Sequence, residues 1–229
     1  MRFQQRKAVA CLISIIALSG CQQSASPASA PTQAEHPTAP QPSPVTAHVT
    51  YDGPFGLRMG LSPAEAKAAT SSLEESDQGP GIYRTNSVPV SHPDFESYSL
   101  LFSQKSGLCK VVAIGKDIQS GDTGYEVRSA FDAIDKAITG KYGKGKKYDF
   151  TSERYDSPEF WMMYLLKKNR TLAKVWSKEE GSSLTSNLGS ITLEAGATDM
   201  STGYLVMRYE FQNMSDCVAE GEAEKNKGL

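Results

Sequence analysis

The reactive chemistry of this chain rests on four cysteines, three histidines and a few neighbouring acids. Glu74/Glu75 and Glu179/Glu180 are the adjacent carboxylates, and a glycosidase can use two carboxyl groups, one as acid and one as base or nucleophile. Paired acids also serve as solvated ends of helices or loops, and that is the reading preferred here. His36 and His48 fall in or beside a low-complexity stretch, so His92 alone stands in folded sequence. A Ser-His-Asp triad would have to use it, inside the loop Val90-Ser91-His92-Pro93, and no Gly-x-Ser-x-Gly turn is present. No His, Cys or carboxylate spacing supports a metal, so no metal site and no cofactor are expected. Gly140-Lys141-Tyr142-Gly143-Lys144-Gly145-Lys146-Lys147 comes near a phosphate-binding loop. However, Lys147 occupies the place of the Mg²⁺-holding Ser or Thr, and the stretch ends a helix rather than opening one. Glycines that stop a helix and lysines that complement its negative end explain it. Trp161 and Trp176 could form a sugar platform, but interior packing is their commoner use.

Cys21 stands in a different setting. Arg2, Arg6 and Lys7 come first, then an apolar run from Ala8 to Leu18, then Leu18-Ser19-Gly20-Cys21. A membrane span needs ~20 apolar residues, more than this run holds, whereas a secretory signal peptide has this layout. The segment resembles the lipobox of bacterial lipoproteins. That resemblance implies a signal peptide over residues 1–20, cleavage before Cys21, and three lipid chains on Cys21 as the attachment to a membrane. Gln22 follows, and by the same resemblance the absence of aspartate there favours the outer membrane, facing the periplasm, over the inner one. No nucleic-acid partner is expected. Removal of Arg2, Arg6 and Lys7 from 24 basic residues leaves 21 against 26 acidic, a net charge of −5, and nucleic-acid binding asks for a clustered basic surface.

Of the four cysteines, Cys11 leaves with the signal peptide and Cys21 becomes a thioether. Cys109 and Cys217 remain, in an oxidising compartment. A disulfide between them is the favoured expectation, with two separate buried thiols as the alternative. No Cys-x-x-Cys pair suggests redox catalysis.

The elements that would position these residues follow a tether. Residues 21–47 are rich in Pro, Ser, Ala and Thr and cannot bury enough apolar surface to order themselves. A single folded domain is expected over 48–229. Ser62-Pro63-Ala64-Glu65 reads as a capped helix start with Leu61 and Ala66 as its staple. Strands are expected over Ile82–Val88 and Tyr98–Ser103, with Leu108–Ile118 returning as the second arm of a hairpin. Asp122–Tyr142 has the strongest helical period, from Val127 through Phe131, Ile134 and Ile138 to Tyr142, with Thr123 to Glu126 as a capping box and Gly143 as the stop. Asp132 and Lys136 are spaced for an exposed ion pair. Lys144–Asp156 reads as a polar connection, and Pro158–Lys168 as a helix, although a strand over Trp161–Lys167 is also open. Strands over Thr171–Ser177, Ser190–Ala197 and from Gly203, and a helix from about Ser215, complete the chain. In the last strand Leu205, Met207, Tyr209 and Phe211 face in, while Arg208 and Glu210 face out.

This order implies an α+β fold, an antiparallel sheet packed by helices, with a hint of tandem helix-then-three-strands duplication. Phe55-Gly56-Leu57-Arg58-Met59-Gly60-Leu61-Ser62-Pro63-Ala64-Glu65 resembles the opening of small exported bacterial domains. Among them are the small lipoprotein of the outer-membrane β-barrel assembly machinery and the β-lactamase inhibitor proteins. The Tyr-Gly after the long helix and the late Tyr-Glu-Phe strand look like an uncharacterised secreted family. The expectation is therefore a non-enzymatic, membrane-tethered envelope module that binds a protein partner. The alternatives are a cell-wall or lipid-directed hydrolase and a carrier of a small apolar ligand.

Overall fold

The computed structural model describes residues 52–151 and 157–228. Cys21, the expected signal peptide, the tether and the expected domain start at residue 48 lie outside them. Helix α1 (Pro63–Ala69) begins as anticipated. The Ser62 hydroxyl accepts from the Glu65 N–H at 3.2 Å, and the Glu65 carboxylate accepts from the Ser62 N–H at 2.8 Å. Two orphan amide donors are thus satisfied, and Leu61 and Ala66 are fully buried beside them.

Four strands follow: β1 (Glu74–Glu75), β2 (Ile82–Thr85), β3 (Phe95–Ser103) and β4 (Gly107–Gly115). The short strand β5 (Ile118–Gln119) leads into α2 (Tyr125–Tyr142). Strand β6 (Lys146–Thr151), α3 (Trp161–Leu166), β7 (Arg170–Ser177), β8 (Leu188–Ala197), β9 (Thr202–Phe211) and α4 (Met214–Lys225) complete the order. Among the described residues this is an α+β fold of four α-helices and one nine-stranded antiparallel sheet. The strands run β1-β2-β3-β4-β9-β8-β7-β6, with β5 added beside β9. Each half is a helix-led meander, and the halves meet through their last strands. The expected three strands per half become four, because β1 and β6 were not anticipated; no residue-level repeat accompanies the two meanders.

Alternation puts one sheet face in the core. Tyr98, Leu100, Val111, Ala113, Ile191, Leu193, Leu205 and Met207 are buried there, and α2 and α3 lie against β7, β8 and β9. Trp161 and Trp176 are core residues, 3% and 0% exposed, so the sugar-platform reading is set aside. Phe55 holds the N-terminal loop to this core with a left-handed backbone (φ 56°). Its ring meets Tyr98, Phe95 and Tyr209 edge-on at 4.9, 5.7 and 5.7 Å, the arrangement that aromatic quadrupoles favour.

Two local expectations are corrected. The long helix starts at Tyr125, not Asp122, and Thr123 to Glu126 form no capping box. Glu126 turns back to accept from the Ser120 hydroxyl at 2.7 Å and the Gly121 N–H at 3.3 Å. The reason is Gly124, whose left-handed backbone (φ 65°) lets the chain pass against the Trp161 ring; a Cβ there would lie 1.9 Å from Trp161 Cε3. Asp132, expected to pair with Lys136, instead pairs with Lys147 Nζ at 3.3 Å, because β6 brings that lysine to α2. Gly143 ends the helix as expected (φ 84°), its N–H donating to the Thr139 carbonyl at 2.9 Å.

Helix α4 is held by few contacts. Cys217 is its buried residue, and its sulphur lies at bonding distance from that of Cys109, with the Cα atoms 6.5 Å apart, inside the range a disulfide spans. Cys109 falls where the β3–β4 register shifts, without a cross-strand partner. The Glu220 carboxylate accepts from Ser103 Oγ at 2.6 Å, Ser106 Oγ at 2.5 Å and the Lys105 N–H at 3.1 Å. The two hydroxyls hold it below the usual carboxylate range. Asn213, just before the helix, donates its side-chain amide to the carbonyls of Ser106 and Leu108.

Cys217→Ser, or reduction, is expected to cost about 2–5 kcal/mol, the usual worth of a disulfide closing a long loop. Hydrogen exchange should show α4 losing nearly all its protection, while the amides of β4 and β9 lose only the drop in global stability. Because Glu220 has a depressed folded pKa, its contribution is complete above the ordinary carboxylate value of ~4.3 and fades as pH falls through the lower folded value. Acid should therefore loosen α4 further only below that range. Gly124→Ala should destabilise the domain by about 1–3 kcal/mol through overpacking against Trp161, measured by denaturant unfolding.

Candidate functional site

The residues that could do hydrolytic chemistry are not gathered. Glu74 and Glu75 form the two-residue strand β1 and both are exposed. Glu179 and Glu180 lie in the turn after β7. The Ser177 hydroxyl lowers the Glu179 pKa, and Glu180 lies 3.8 Å from Lys146 Nζ and 3.5 Å from the Tyr148 hydroxyl. His92 is half-exposed, its Nδ1 accepting from the Asp94 N–H at 3.3 Å with the Asp94 carboxylate 3.8 Å away. This is a local turn contact. Lys146 and Lys147 begin an edge strand, so residues 140–147 run from helix to strand, the reverse of a phosphate-binding loop. Among the described residues no group of three or more His, Cys, Asp or Glu could hold a metal, and no helix is long and apolar enough to cross a membrane.

The sheet face turned away from α2 and α3 is the feature that stands out. Directly paired residues point to the same side, so the registers define rows across the strands. One row runs Ser97, Ile114, Val206, Glu194, Ala173, Tyr148 from β3 to β6. The next runs Arg84, Ser99, Val112, Arg208, Thr192, Val175, Lys146 from β2 to β6. A half-solvated antiparallel sheet ordinarily carries polar side chains on its wet side. Here Ile114 and Val206 sit opposite each other beside Val112, and Ile114 is 38% exposed. A groove of about 400 Å³ opens over them, bounded by Tyr204 and Arg208 and by Glu96 and Asp117.

Local geometry explains its shape. Gly196 pairs with Tyr204, and a Cβ on Gly196 would stand 2.5 Å from Tyr204 Cζ, so the missing side chain leaves room for the ring to lie over β8. Glu96 falls in a register shift between Phe95 and Ser97, where a bulge leaves a residue without a cross-strand partner. On the floor Arg208 is matched by Glu194 at 2.5 Å, and farther along the same strands Lys110 is matched by Glu210 at 2.7 Å. Neither Glu96 nor Asp117 has a hydrogen-bond or ion-pair partner among the described residues.

Alternation along Leu108–Ile118 puts Val112 and Ile114 on one strand face with Lys110, and Arg208 is expected to face outward, but nothing in the sequence joins them. Val206, Tyr204, Glu96 and Asp117 were missed, because only the β4–β9 pairing brings them together. An isoleucine and a valine at outward positions of two strands were the available signal. Comparison with protein-family models, with curated proteins and with solved structures finds no match.

The two kinds of ion pair should separate by mutation. Glu194→Gln, on the wet face, is expected to change stability by less than about 1 kcal/mol. Asp135→Ala removes the partner of Lys174, 2.5 Å away, in a pair whose side chains are 17% and 12% exposed, and should cost more, about 1.5–3 kcal/mol. Urea unfolding of both variants checks this contrast.

Proposed function

We propose that this protein is a lipid-anchored envelope protein whose folded domain acts by binding a protein partner. The observation that carries the binding reading is the apolar groove over Ile114, Val206 and Val112 on a sheet face where alternation calls for polar side chains. Its openness to solvent suits a protein surface better than an enclosed small apolar ligand. The separation of His92 from the paired glutamates favours binding over hydrolysis.

The location reading rests on Leu18-Ser19-Gly20-Cys21 behind a basic and then apolar leader. One acyl chain anchors a protein only marginally, whereas the lipoprotein pattern supplies three, enough for stable attachment. Gln22 after the cysteine favours the periplasmic side of the outer membrane. Residues 22–47, at ~3.1 Å each if fully extended as polyproline, would give the domain a reach of up to ~80 Å. The Cys109–Cys217 pair agrees with an oxidising compartment.

Metabolic labelling with an alkyne analogue of palmitate should mark the wild-type chain and leave Cys21→Ser unmarked. The variant should also keep its leader and leave the outer-membrane fraction. Equal labelling, processing and fractionation of the two would overturn the anchor. Crosslinking in intact cells should recover the chain joined to a second protein; repeated recovery of the chain alone would overturn the binding reading.

A further inference from the structure

We infer that the groove over the paired strands β4 and β9 takes an apolar side chain flanked by lysine or arginine, presented by a loop or extended segment of a partner protein. The inference rests on the protein-binding reading above and assigns its site and the chemistry of its partner.

The floor is apolar and its charges are already spent. Ile114 and Val206 are direct cross-strand partners, with Val112 beside them, and Tyr204 walls one side because Gly196 leaves room for its ring. The Arg208 guanidinium is neutralised by Glu194 on the neighbouring strand. The cation in the lining is therefore satisfied within the protein and offers little to an acidic ligand.

The rim differs. Glu96 and Asp117 line the groove, are exposed and have no hydrogen-bond or ion-pair partner among the described residues. Lys116, which precedes Asp117 in sequence, is not part of the lining. Two uncompensated carboxylates beside an apolar floor thus set the sign of the ligand's charge. Apolar contact supplies affinity at the centre, while rim charges govern encounter and exclude partners of like sign. An acidic peptide would place like charges together, and an anionic lipid surface would be repelled in the same way.

The test is site-directed photo-crosslinking of the full-length chain in intact cells. A benzophenone amino acid is placed in turn at Val112, Ile114 and Val206, and at the exposed α2 positions Ser129 and Lys136 as controls. Groove positions are expected to yield a heterologous adduct, and the controls none. Mass spectrometry of the joined peptide should find an apolar residue with Lys or Arg next to it. Two variants then examine the contacts through a probe kept at Val206. Ile114→Lys should lower the adduct yield by about tenfold or more, the order expected of a central contact. The double change Glu96→Lys and Asp117→Lys, confined to exposed side chains, should lower it comparably without loss of fold.

Adducts from α2 alone would overturn the groove while leaving the protein-binding reading intact. No adduct from any position would overturn both. A joined segment that is acidic or carries no basic residue would overturn the assigned chemistry. So would a crosslink to a second copy of this chain or to its own residues 22–47, or a yield unaffected by the double charge reversal.

Discussion

The pairing of β4 with β9 is the constraint on which the rest of the structure depends. It joins the two halves of the chain through five registered residue pairs, from Lys110 opposite Glu210 to Ile114 opposite Val206. Without it each half would be a separate meander with one more unpaired edge. Forming this contact closes about a hundred residues of chain, an entropic cost that local contacts do not meet. The disulfide-distance pair of Cys109 and Cys217 ties β4 to the helix after β9, so a covalent link can reinforce the same junction.

That junction also sets which face is dry. Val111 opposite Tyr209 and Ala113 opposite Met207 point toward the core, so Val112, Ile114, Val206 and Arg208 must point away. Helix α2 then meets the dry side of the second half. Lys174, part-buried against α2, bonds to Asp135 and Thr139, and Trp176 Nε1 donates to the same threonine hydroxyl. A part-buried cation held by a carboxylate and a hydroxyl favours one relative position of helix and sheet, because a shift would break charge-assisted hydrogen bonds that water only partly replaces.

The wet face combines ordinary and unusual features. Its salt-bridge ladder, Lys110–Glu210 and Arg208–Glu194, is what a solvated antiparallel sheet normally displays. The apolar patch beside it is not needed for packing, since those side chains turn away from the core. The proposed binding surface is placed there for that reason, and not at His92 or the paired glutamates.

How much was legible in the sequence follows from range. The capped start of α1, the period of α2, the β3–β4 hairpin, the inward set of β9 and the α+β class could be read directly, because each depends on neighbours within a few residues. The segment ending in Leu18-Ser19-Gly20-Cys21 is also a local pattern, and the proposal of a lipid anchor rests on it alone. Strands β1 and β6 escaped notice. They are the two ends of the sheet path: Glu74–Glu75 is too short to alternate, and Lys146–Thr151 offers only Tyr148 and Phe150 at alternate places within a polar stretch. The false capping box at Thr123 had the right residues, but Trp161, distant in sequence, decided the backbone at Gly124. The groove was illegible for the same cause. Glu96, Ile114, Asp117, Tyr204 and Val206 carry no motif, and only the long-range union of β4 with β9 makes them neighbours. Local chemistry thus determined the elements, while tertiary pairing alone decided which outward side chains share a surface.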